Sequence, residues 1–137
     1  MRLHYYLHLI YLPKSKREFR MKQSIIKEII KIPITMKKSN KSIYDLLLDL
    51  GCKENSDSLT KLSLANELKS KPNYLNEWIL YSENKRTNEG WYILAKEGVF
   101  EVAYLGDNTK IFVFKSAYEA CAFFIKNEIE TILKMYS

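Results

Sequence analysis

The sequence predicts an α+β fold: a four-stranded antiparallel meander sealed by a C-terminal amphipathic helix, with further helices preceding the sheet. Three observations predict it. Residues 77–83, 90–96, 99–105 and 110–114 are short runs rich in aromatic and β-branched side chains, each bounded by turn chemistry. Ser116-Ala-Tyr-Glu119 has the form of a capping box, in which hydroxyl and carboxylate satisfy the first free N–H groups of a helix. After it, Tyr118, Cys121, Ala122, Ile125, Ile129, Ile132, Leu133 and Tyr136 recur at spacings of three and four, one continuous apolar stripe.

Within the meander, Glu97-Gly98 and Asp107-Asn108 read as two-residue hairpin turns. Folding about the first sets Ala95 opposite Phe100, Ile93 opposite Val102 and Trp91 opposite Tyr104. Folding about the second sets Tyr104 opposite Ile111 and Val102 opposite Val113. With Glu83 facing Gly90, Trp78 and Leu80 join an uncharged face that must be core. The other face mixes charge with aromatics: Glu77, Tyr81, Tyr92, Glu101, Phe112 and Phe114 among others. Such a face is either covered by another element or used for binding.

Upstream, residues 15–32 have helical spacing, with Met21, Ile25, Ile29 and Ile32 in line, and Pro33 as the expected stop. Lys16, Arg17, Arg20, Lys27 and Lys31 occupy the opposite surface. Residues 34–42 read as a linker. Helix 43–50 ends at Gly51, and a second short helix runs from about Leu59 to Lys69 before Lys71-Pro72. This pair is the natural cover for part of the mixed sheet face. The expected organisation is a basic extension over 1–35, strand or disordered and then helical, followed by a single α+β domain over 36–137.

A chain of 137 residues can bury roughly two thirds of its unfolded surface. Its net charge of +6 is unevenly placed. Residues 1–41 hold eleven Lys/Arg against Glu18 and Glu28, or +9; residues 42–137 hold eleven against fourteen acids, or −3. The body is mildly acidic and the basicity belongs to the N-terminal segment. Residues 1–12 are apolar after one Arg, but Pro13-Lys-Ser-Lys follows where a signal peptide would have a small-residue cleavage site. The run is also shorter than the roughly 20 residues of a membrane span. Met21 and Met36 are further candidate translation starts. Two cysteines, Cys52 and Cys121, make no disulfide framework, and the expected setting is a reduced cytoplasm.

Catalytic constellations are hard to assemble from these residues. Both histidines, His4 and His8, lie in the N-terminal segment, which leaves residues 9–137 without imidazole for base or zinc chemistry. None of the four glycines forms a phosphate-cradling loop. Ser58-Leu-Thr-Lys61 matches two letters of an acyl-transfer motif but reads better as a helix cap. Glu77 and Glu101 as a glycosidase pair would need a strand order that nothing specifies. A sheet-face RNA site built on Tyr81, Tyr92 and Phe112 would set phosphate against Glu77, Glu83 and Glu101. The expectation is a protein without enzymatic activity or cofactor.

Trp91-Tyr-Ile-Leu-Ala-Lys-Glu-Gly-Val-Phe-Glu-Val-Ala-Tyr104, followed by Phe114-Lys-Ser-Ala-Tyr-Glu119-Ala-Cys121, resembles small bacterial immunity proteins of polymorphic and contact-dependent inhibition toxin systems. The resemblance covers roughly residues 74–133. It implies stoichiometric binding to a cognate toxin domain, such as a nuclease with a basic cleft, by a monomer or weak homodimer. The implied partner-binding residues are those of the mixed face and its rims: Tyr81, Tyr92, Glu97, Glu101, Asp107 and Phe112. Helices 43–69 covering Tyr92 and Phe112 is the opposing expectation, with Asp45, Asp49, Glu54 and Asp57 then the alternative surface. A different function class, binding of nucleic acid or an anionic membrane through Lys14–Lys41, follows from the basic segment alone.

Overall fold

The structure, a computed structural model, describes residues 14–85 and 89–136, with 14–21 as backbone alone. The expected strand or extension at 1–12, with both histidines, lies outside the described residues. So do the side chains of Lys16, Arg17, Arg20 and Met21. In chain order the elements are α1 (Lys14–Ile30), α2 (Ile32–Ser39), α3 (Ile43–Asp49), a 3₁₀ turn (Ser56–Ser58), α4 (Lys61–Ser70) and α5 (Asn73–Lys85). Then come β1 (Gly90–Lys96), β2 (Val99–Leu105), β3 (Lys110–Phe114) and α6 (Ala117–Met135).

Local chemistry accounts for most helix boundaries. Ser42, Thr60 and Ser116 each sit in extended backbone and accept a hydrogen bond from the N–H three residues on, capping α3, α4 and α6. Pro33 does not stop the helical run as its position suggests. It lies in the first turn of α2, where a missing N–H has no helical partner to lose. Residues 34–39 are therefore helix rather than linker, and α2 ends at Asn40, a left-handed residue at φ 56°.

The sheet has three strands in the order β1-β2-β3, all antiparallel. The expected first strand, 77–83, is part of helix α5. Seven residues that alternate also satisfy a helical period, and only the longer window decides between them. Buried and half-buried positions at Tyr74, Leu75, Trp78, Tyr81, Ser82 and Lys85 follow spacings of three and four from before the run to beyond it. What takes the fourth strand's place is a side chain: Ser82 Oγ accepts from the Ile93 backbone N–H at 2.9 Å, satisfying an edge group of β1.

The first hairpin has the expected register, Trp91 with Tyr104 and Ile93 with Val102, and Gly98 at φ 75° makes the tight turn. The second differs by one residue. Tyr104 pairs with Lys110, Val102 with Phe112 and Phe100 with Phe114. The connection is a longer loop, with Thr109 Oγ1 donating to the Gly106 carbonyl, not a two-residue turn at Asp107-Asn108. A slip of one residue exchanges the faces of the strand. Phe112 and Phe114 consequently point inward, and Ile111 and Val113 outward. Ala95, expected in the core, is exposed at the sheet's end.

Helix α6 crosses the inner face. Phe123 packs on Trp91, Phe112 and Phe114 with ring centroids 5.9, 4.8 and 5.3 Å away, and Trp91 Nε1 donates to Thr131 Oγ1 at 3.1 Å. At 3.6 residues per turn, the apolar stripe Cys121, Ile125, Ile129 and Ile132 lies around the far side of the helix from Phe123. There the helical layer packs, above all α4. The helix is thus buried on two sides, and the stripe seals the helices rather than the sheet. Ile26, Ile29, Ile30 and Ile32 join Leu47, Leu64, Leu68, Trp78, Ile93, Val102 and Phe124 in one core. Trp78 Nε1 donates to the Ile30 carbonyl at 3.1 Å, so residues from Ile26 to Ile32 are built into the body of the fold.

Candidate interaction surface

The outer sheet face is built in rows by the two registers. Across the strands run Lys96–Val99, then Leu94–Glu101–Val113, then Tyr92–Ala103–Ile111, then Gly90–Leu105. Helices α3 and α4 do not cover it. They pack on α1, α2 and α6, behind the inner face. Ile111 is 56% and Val113 62% exposed, and Leu94 and Leu105 are 37% exposed each. Single exposed apolar residues are ordinary, but a contiguous group on one flat face is the usual mark of an interaction surface.

One ionic group crosses this face. Glu101, whose side chain is 13% exposed, accepts from Lys96 Nζ at 3.0 Å and from the Tyr92 hydroxyl at 3.2 Å. Burial, then the Glu101 hydrogen bond and charge, hold the Tyr92 phenol above its usual range. The carboxylate is engaged by two donors and offers little free charge to a partner.

The six residues expected to bind a partner do not form one surface. Tyr92 and Glu101 are together on the outer face, and Glu97 is exposed at the turn beside Lys96. Asp107 is exposed in the loop at the opposite end, about 20 Å away along a seven-residue strand. Phe112 is on the inner face, 37% exposed at the sheet edge, because the second hairpin pairs one residue out of the expected register. Tyr81 is not on the sheet at all. As part of α5 it packs between Trp78 and Phe124, with centroids 5.3 and 6.3 Å away.

Tyr81 belongs to a cluster that the linear pattern does not announce. Its hydroxyl donates to Glu128 Oε2 at 2.6 Å, and Lys85 Nζ donates to both carboxylate oxygens at 2.8 Å. Glu128 is 4% exposed. Burial, followed by the charge and hydrogen bond of Glu128, pushes the Tyr81 phenol far above its ordinary value. With three hydrogen bonds from two donor groups on its two oxygens, Glu128 is a fastener between α5 and α6. The four-residue spacing of Tyr81 and Lys85 puts both donors on one face of α5, while their partner Glu128 lies on a helix far along the chain.

Three hollows flank these features. One of about 460 Å³ opens between the C-terminal end of α5 and β1, lined by Ser82, Glu83, Lys85, Tyr92, Leu94 and Leu105, and so continues the outer face. One of about 270 Å³ lies between α2 and α5 under the Lys37–Glu77 ion pair. A third of about 420 Å³ is walled by Asn108, Lys110, Asn127 and Lys134. Among the described residues no three or more His, Cys, Asp or Glu are grouped to hold a metal ion, and no helix is long and apolar enough to cross a membrane. Ser58 is a buried part of the 3₁₀ turn and donates to the Asn55 carbonyl at 2.6 Å, a structural role that leaves its hydroxyl occupied. No protein family, curated protein or solved structure matches the chain, so the likeness to immunity proteins stands on the residues quoted for it.

Proposed function

We propose that the protein is a non-enzymatic inhibitor that neutralises a cognate bacterial toxin domain by stoichiometric binding through the outer face of its sheet. The observation that carries this reading is the uncovered group Leu94, Leu105, Ile111 and Val113, with Tyr92 beside it. Three strands of this length present a face of roughly 15 by 20 Å, about 300 Å². A stable complex buries about 800 Å² on each partner. The face is therefore an anchor, and the partner must extend over one or both rims. Glu97 and Asp107 mark those rims, and acidic rims suit a basic cleft such as a nuclease presents. The same areas disfavour a tight homodimer through this face alone, which fits a monomer or weak dimer.

Binding of nucleic acid or an anionic membrane through the basic segment is the competing reading. Lys22, Lys31, Lys37 and Lys41 are each paired with a carboxylate, on Asp57, Glu28, Glu77 and Asp49. Exposed pairs are weak, but they reduce the charge that this reading needs.

Co-expression with the toxin domain encoded beside it should restore growth, and the purified pair should co-elute at a ratio of one to one. Leu94→Lys combined with Val113→Lys should abolish rescue while leaving the circular dichroism spectrum unchanged. Absence of binding by the unaltered chain would overturn the reading.

A further inference from the structure

We propose that the outer edge of β3 is a docking site for an extended segment of a partner that alternates apolar side chains and carries a carboxylate at each end. The inference is independent of what occupies the outer face. β3 is the terminal strand of the sheet, hydrogen-bonded on one side to β2. Unlike β1, whose edge receives Ser82, it has no side chain bonded to its backbone among the described residues. Its sequence, Lys110-Ile-Phe-Val-Phe-Lys115, is four apolar residues between two lysines. Ile111 and Val113 are exposed on one face of it and Phe112 on the other.

An exposed apolar edge is a template for another strand, and proteins ordinarily blunt such edges. Here the lysines decide what can add. Neither Lys110 nor Lys115 is in a salt bridge among the described residues, and Lys61 adds a third cation nearby, 5.4 Å from the Phe123 ring centroid. A second copy paired antiparallel about Phe112, the register that uses the whole strand, would set each Lys110 opposite Phe114 and each Lys115 opposite Thr109, leaving all four lysines without a counter-charge. Self-pairing gains nothing from the lysines, whereas a strand ending in Glu or Asp would meet a lysine at each end. Main-chain hydrogen bonds would give such a partner its affinity, and its alternate side chains would extend both sheet faces.

The test uses the full chain and two blocked hexapeptides at millimolar concentration, Glu-Val-Thr-Val-Thr-Glu and Lys-Val-Thr-Val-Thr-Lys. The Glu-ended peptide should slow amide hydrogen exchange within Ile111–Phe114 by roughly tenfold or more, and high salt should remove the effect. The Lys-ended peptide should leave these amides unchanged. Combining Lys110→Glu with Lys115→Glu, both on exposed side chains, should reverse the preference. No protection by the Glu-ended peptide, or equal protection by both, would overturn the proposal. So would self-association of the unaltered chain that slows exchange of the same Ile111–Phe114 amides, since the edge would then belong to a second copy.

Discussion

At the scale of single residues, the most consequential side chain is Glu128. It lies off the apolar stripe of α6, where a charge is ordinarily solvated, yet it is buried against Tyr81 and Lys85. Glu128→Gln should lower stability by about 2–4 kcal/mol, because it leaves the Lys85 ammonium without its counter-charge. Replacing both, with Glu128→Met and Lys85→Met, should recover most of that loss; urea denaturation midpoints of the three variants check this. Tyr81 adds a pH dependence. Below about pH 10 the phenol is protonated in both folded and unfolded chains, so its contribution to stability is constant. Above that pH the unfolded chain releases the proton while the folded one retains it, and stability falls. Tyr81→Phe should make the decline between pH 9 and pH 11 shallower. Other residues were legible directly: Ser116 as a cap accepting from the Glu119 N–H, Gly98 as a positive-φ turn, and Cys121 as a small core side chain. Both thiols are buried and held above their usual range by desolvation, that of Cys52 to about 12. Neither should react with a thiol reagent until the chain is unfolded.

At the scale of elements, what could be read depended on whether the signal was local. The capped helix α6 and the hairpin around Gly98 are specified by residues within a few positions of one another. α5 was not, since EWILYSE satisfies both periods and the choice is made by Trp78 reaching the Ile30 carbonyl and Ser82 reaching Ile93, partners 48 and 11 residues away. The β2–β3 register turned on a loop whose true length no turn motif announces. That register has a direct test. Val113→Lys, on an exposed outward position, should change stability by no more than about 0.5 kcal/mol. Phe112→Lys, directed at Trp91 and Phe123, should cost about 1–3 kcal/mol. Equal effects would refute the pairing. Ser82→Ala should cost a similar 1–3 kcal/mol by leaving the Ile93 N–H buried without an acceptor.

At the scale of the whole molecule, the layer order decides which surface is available. The outer sheet face is open because α3 and α4 pack behind α6, and that placement depends on contacts between distant parts of the chain, which periodicity does not encode. The same layering changes what a truncation means. Residues 1–35 include Ile26, Ile29, Ile30 and Ile32, each at most 1% exposed. At about 1.5–3 kcal/mol for each buried side chain, their loss removes roughly 6–12 kcal/mol. A domain of this kind has only about 5–15 kcal/mol in total. Deleting 1–35 should unfold the protein, as loss of a cooperative thermal transition would show, so a failure of that variant to bind DNA or lipid would not identify a basic binding arm. Helix α6 occupies the middle of the molecule yet is the final helix of the described chain. Until a ribosome has delivered it, the inner face of the hairpin and the facing side of the upstream helices lack the layer that joins them, so both oily surfaces stay open on the nascent chain.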